Sequence, residues 1–242
     1  MTNEIVLIIF YFLTLVYSVI IHEVSHGVVA LWLGDMTAKY AGRLTLNPIS
    51  HIDPFGTLLL PLTLGIISHG ALTFGYAKPV PYNPYNLREQ KWGPLYVALA
   101  GPGSNFLLAF IASILAKLMP LSLIEKADIL KRFYGVIGGS GDFLERFGYL
   151  AEAMSGTLPT IFFGLLLLII FWNVVLGCFN LLPIPPLDGS KLLFTLFPFQ
   201  ERTQLLLEQY GFFLLLFLIF VLSGPVSAFI SFFLRLFFGF TL

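Results

Sequence analysis

The sequence predicts an all-α, polytopic membrane protein of about four to six transmembrane helices, with a re-entrant segment and a short membrane-associated β-strand region. Three observations carry this reading. The 242-residue chain is 57% hydrophobic and only 11% charged, whereas soluble domains carry about 25% charged residues. Apolar runs long enough to cross a bilayer recur along it. The pentapeptide His22-Glu23-Val24-Ser25-His26 lies inside the first such run. One membrane-embedded domain is expected, with a core over residues 5–195 and a C-terminal helical segment over 205–242.

Residues 5–33 form the first span. Ser18, His22, Ser25, His26 and Val29 fall on one helical face as a thin polar stripe, and Gly34 and Asp35 end the helix. The segment lacks a basic start and is too long for a signal peptide. Residues 39–47 alternate Arg43, Thr45 and Asn47 against Leu44 and Leu46, the period of a short strand. Residues 55–74 are apolar but interrupted by Gly56, Pro61, Gly65, His69 and Gly70, which fits a span or a segment that dips in and returns. Pro79, Pro81 and Pro84 make residues 77–85 extended.

Residues 95–119 form a second clear span, carrying Gly101-Pro102-Gly103-Ser104-Asn105. Gly101, Asn105 and Ala109 share a face, which reads first as close helix packing and second as cavity lining. In residues 121–152, Ile124, Ala127, Leu130 and Phe133 recur every three positions among charges, as in an amphipathic helix at the membrane interface. Residues 161–182 form a third clear span and run into Pro183-Ile184-Pro185-Pro186-Leu187-Asp188-Gly189. Residues 212–240, broken at Gly224-Pro225, make one kinked helix or a tight pair. The Lys and Arg residues are spread too evenly over the loops to orient the chain. A net charge of zero argues against a nucleic-acid partner. Cys178, the lone cysteine, excludes an internal disulfide.

Ionisable residues at membrane depth are costly and mark function by default. Histidines at i and i+4 share a helix face, so His22 and His26 can reach one metal ion, with Glu23 placed to take a proton from water. Catalytic zinc usually takes three protein ligands. Asp53 and Asp188 are the carboxylates in apolar context, and Asp188 is the better third ligand, because it directly follows a span and Gly189 lets the backbone pass close. That assignment puts the first and third clear spans' ends on one side, which makes residues 55–74 re-entrant. His51 reads first as a loop histidine and second as a gate or support near the metal, and Asn105 and Asn173 are further candidates for that role. A substrate helix must unwind to be cut, and residues Gly42, Arg43, Leu44, Thr45, Leu46 and Asn47 offer a strand edge for it. A metal transporter or a scaffold with a structural metal are the rival readings.

The pentapeptide in one membrane helix, followed by Asn180-Leu181-Leu182-Pro183-Ile184-Pro185-Pro186-Leu187-Asp188-Gly189 after a later one, resembles the site-2 protease family of intramembrane zinc metalloproteases. The Gly101–Asn105 segment is similar to that family's Gly-Pro segment, and the match covers about residues 5–195, closest to small prokaryotic members without a PDZ domain. The resemblance implies one zinc held by His22, His26 and Asp188, Glu23 as the catalytic glutamate, Asn180 beside the reacting carbonyl, and a three-helix catalytic core. It also implies a multi-pass protein of a prokaryotic plasma membrane acting on membrane-protein substrates. Ser190 departs from the family's second glycine and questions a close helix contact there.

Overall fold

The computed structural model describes residues 2–67, 77–138, 148, 150–152, 154, 156–197 and 199–242. Among these residues there are nine α-helices and no strand. In chain order they are α1 (Thr2–Trp32), α2 (Thr37–Tyr40), α3 (Leu60–Ile67), α4 (Gly93–Lys117), α5 (Leu123–Gly138), α6 (Leu158–Asn180), α7 (Gly189–Leu196), α8 (Glu201–Val221) and α9 (Ser223–Gly239). Helices α1, α4, α6 and α8 are long and apolar enough to cross a membrane.

Helices α1, α4 and α6 pack on one another and run alternately up and down. Leu7, near the start of α1, joins the cluster that holds Ala112 and Ala116 near the end of α4. At the other end, His26 of α1 meets Val97 of α4. Gly177 late in α6 abuts Phe106 of α4, where a Cβ would lie 3.0 Å from the ring. The close approach comes from residue size. Ala109, Ala112 and Ala116 turn small, fully buried side chains toward Phe163, Leu167, Leu168, Ile170 and Val174 of α6, the usual way helices approach in lipid.

Helix α5 lies on α6 through only part of the expected stripe, with Leu130 and Phe133 buried and Ile124 and Ala127 exposed. Ile129, Leu130 and Phe133 are buried and so is Lys126, while Ile124 is 82% exposed. A strict three-residue period drifts around a helix of 3.6 residues per turn, so Ile124 leaves the buried face and Lys126 enters it. The Lys126 ammonium is satisfied at Lys117 O, 2.6 Å away at the end of α4. Beyond α7, residues 212–240 fall in a helix pair: α8 and α9 meet at Leu222, with Pro225 in the first turn of α9, where proline is tolerated.

Residues Gly42 to Asn47 form no strand. The start of the alternating stretch is the helical turn α2, and Gly42 then turns the chain with φ of 65°. Alternation alone does not make a strand, because a ladder partner is required and the described residues supply none. Residues 54–67 are helical, a π-type turn from Pro54 to Leu59 leading into α3. The rest of the predicted re-entrant segment, with His69, lies outside the described residues. Its two ends meet: Lys78 N donates to His51 O at 3.0 Å.

Candidate metal centre

His22 and His26 stand on successive turns of α1, rings edge to face with centroids 4.7 Å apart. Their Nε2 atoms lie 3.0 and 3.4 Å from Asp188 Oδ2, and one donor atom from each residue falls within 4.8 Å of the others. Asp188 gets there because the segment after α6 folds back on that helix's end. Gly189 makes the fold-back possible, since a Cβ there would overlap the Leu181 and Leu182 carbonyls. Ser190, which replaces an expected second glycine, fits without conflict: it is buried and its Oγ donates to Leu187 O at 2.7 Å.

The outer ring nitrogens define the protonation. His26 Nδ1 lies 2.7 Å from Val97 O, and His22 Nδ1 lies 2.6 Å from Asn105 Oδ1. Carbonyl oxygens only accept, so both Nδ1 atoms carry hydrogen, and each Nε2 is left facing the carboxylate, where it can offer a lone pair to a metal. Two imidazole nitrogens and an anionic oxygen so placed suit a cation held between them. The spacing fits one, because tetrahedral bonds of about 2.0–2.1 Å put donors about 3.3 Å apart. Gly101 keeps the place open: a Cβ there would lie 2.5 Å from both Nε2 atoms. Of the two readings of Gly101, close helix packing and cavity lining, this contact with both imidazoles favours the second.

His22 and His26 lie ten and six residues before Trp32, the last residue of α1, roughly 9–15 Å along the helix from its end. Glu23, beside them, is half-buried, and its Oε2 accepts from Val80 N at 2.9 Å. Val80 belongs to the extended Pro-rich stretch, which crosses α1 where Gly27 leaves room; a Cβ at Gly27 would lie 2.8 Å from Val80 and 2.6 Å from Leu44. A hydrogen-bonded His-His-Asp cluster with both histidines buried, Asp188 partly buried and an adjacent carboxylate is a metallohydrolase arrangement.

Comparison with known proteins agrees. The model of the family described as Peptidase family M50 matches residues 10–218. This chain belongs to peptidase family M50, the site-2 protease family. A protein named "Putative zinc metalloprotease YwhC" from Bacillus subtilis is 38% identical over 208 residues, covering 85% of this chain and 78% of the relative. A second, "Putative zinc metalloprotease Rip2" from Mycolicibacterium smegmatis, is 33% identical over 94 residues, 39% of this chain and 34% of the relative. No solved structure matches the chain significantly. With its apolar helices, this M50 protein is an integral membrane metalloprotease.

The other candidate residues of this M50 chain fall into three groups. Asn105 and Asn173 are buried behind His22. Asn180 ends α6, and its amide donates to Leu176 O at 3.0 Å, within its own helix. His51 is not one of the grouped donors. Its Nε2 meets Thr45 O at 2.8 Å, and its carbonyl holds Lys78, so it ties loops together. Arg43 works on the same stretch, donating to Lys78 O and Pro79 O at 2.6 and 3.3 Å. The sequence alone did not single out Val80 or Val97, because a backbone N–H or C=O leaves no mark on residue type.

Proposed function

We propose that this M50 protein is a zinc endopeptidase that hydrolyses peptide bonds in or beside the membrane spans of other membrane proteins, in regulated intramembrane proteolysis or clearance of signal-peptide remnants. The observation that carries it is the convergence of His22 Nε2, His26 Nε2 and Asp188 Oδ2 beside Glu23, inside the helical layer. His22, His26 and Asp188 would hold one zinc, whose Lewis acidity polarises a carbonyl and acidifies water near neutral pH. Glu23 takes a proton from the attacking water and returns one to the leaving amine as the C–N bond breaks. Val80 N–H keeps the Glu23 carboxylate turned to its task. The Asn180 amide, at the end of α6, supplies a donor for the developing oxyanion, an effect typically worth about 3 kcal/mol.

The substrate is a transmembrane segment that unwinds locally, because a helix offers no free backbone groups for recognition. Gly42 to Asn47 are proposed as its docking edge. Leu44 packs beside Gly27, the residue after His26, and the backbone groups of Leu44 and Leu46 make no hydrogen bond among the described residues. A multi-pass protein of a prokaryotic plasma membrane suits this role, and its bacterial relatives support that setting.

Glu23→Gln tests the reading. In reconstituted protein, cleavage of a labelled transmembrane peptide should fall about 10²–10⁴-fold while zinc content stays at the wild-type level. Undiminished cleavage by this variant would refute the base assignment. Zinc flux across vesicles without peptide cleavage would favour transport instead.

A further inference from the structure

Behind His22 lies a row of polar side chains that the proposed chemistry does not use. Asn105, Asn173 and Ser18 come from three different helices and are 0%, 1% and 3% exposed. Unsatisfied polar groups at this depth are destabilising, and these three satisfy one another in only one arrangement. Ile169 O can only accept, and Asn173 Nδ2 lies 2.9 Å from it. The same Nδ2 donates to Ser18 Oγ at 2.9 Å. Asn173 Oδ1 must then face the other way, where it accepts from Asn105 Nδ2 at 2.8 Å. Asn105 Nδ2 also reaches Ser18 O at 3.2 Å, a second acceptor-only partner. Asn105 Oδ1 is therefore turned to His22 Nδ1, 2.6 Å away. Flipping either amide would set donor against donor or acceptor against acceptor.

We infer that Asn173 is a positioning residue: acting through Asn105, and without touching any metal donor, it fixes the tautomer and ring orientation that aim His22 Nε2 at the metal. The two histidines are held differently. His26 takes its direction from the Val97 backbone carbonyl, which no side-chain substitution removes. His22 takes its direction from an amide relay that substitution can break. Partners of this kind typically change metal affinity 10–100-fold. The inference rests on the zinc reading proposed above.

The test is the zinc dissociation constant of the purified full-length protein, set by competition with a chelator, with apo-protein thermal stability measured in parallel. Asn105→Leu should weaken zinc binding about 10–100-fold and Asn173→Leu about tenfold. The double variant should bind no more weakly than Asn105→Leu alone, because the two act in series. Ser113→Ala is the control. Ser113 is also buried and on α4, but among the described residues its hydroxyl bonds Ala109 O alone, so the variant's zinc affinity should match wild type. With cobalt(II) in place of zinc, the visible bands should shift in Asn173→Leu and overlay wild type in Ser113→Ala. Wild-type affinity in Asn173→Leu, or losses that multiply in the double variant, overturn the relay. Asn173→Ala repeats the test if the leucine variant does not fold. Wild-type protein that binds no zinc, or His22→Ala that binds it as tightly, overturns the zinc reading itself.

Discussion

At the scale of single residues, Gly101 is the most informative position outside the donor set. Its missing side chain is what leaves an atom-sized space against both Nε2 atoms. Gly101→Ala adds one methyl group there, and the two imidazoles cannot both retreat, since each Nδ1 is hydrogen-bonded at 2.6–2.7 Å. Zinc binding should weaken at least about 100-fold, with helix content preserved because alanine favours a helix interior. Metal analysis checks this, and a Gly101→Ala protein loaded like wild type would remove Gly101 from the centre. Val80 matters through its amide in the same way. Val80→Pro deletes the N–H that holds Glu23 and should lower cleavage about tenfold with zinc retained, whereas Val80→Ala keeps that N–H. Equal rates for the two variants would show that the amide is not used.

At the scale of elements, the end of α1 is stapled by Asp35. The carboxylate is fully buried and accepts from Thr37 N, Thr37 Oγ1, Asn83 N and Asn86 Nδ2 at 2.6–3.1 Å. This clamp ties α1 to the stretch that carries Val80. Burial on its own raises the Asp35 pKa, but the hydrogen bonds from Thr37, Asn86 and Asn83 outweigh it and hold the carboxyl below the usual carboxylate range. A group depressed on folding gives stability that is present above its unfolded value, about 3.9, and lost as pH falls through the folded value. Asp35→Ala should lower stability at neutral pH by about 1–3 kcal/mol, and its thermal unfolding should depend less on pH than wild type below about pH 4. Parallel wild-type and Asp35→Ala curves across that range would contradict the clamp.

At the scale of the molecule, the side of the membrane reached by each element decides whether the site assembles. The Lys78–His51 hydrogen bond joins the two ends of residues 52–77, as the expected re-entrant path requires. Single cysteines placed at positions 50 and 79 should react with a membrane-impermeant label from the same side. Labelling from opposite sides would break the topology and, with it, the meeting of α1 with Asp188. The exposed apolar residues of α1 and α8, such as Ile9, Phe12, Phe213 and Phe217, face outward, as lipid-facing surface should.

The sequence by itself determined the membrane class, the main helices, the two motifs and the three residues, His22, His26 and Asp188, whose donor atoms the fold brings together. These features are local: helical periodicity, apolar length and the i, i+4 spacing of His22 and His26 are properties of one segment at a time. The tertiary structure alone decided how the segments serve the site. His22 and Asp188 are 166 residues apart, and His26 and Val97 are 71 apart. No local pattern encodes the Val97 carbonyl or the Val80 amide, since each acts through backbone that almost any residue type would present. The alternation in residues 39–47 was legible but misleading, because a strand exists only when packing supplies its partner.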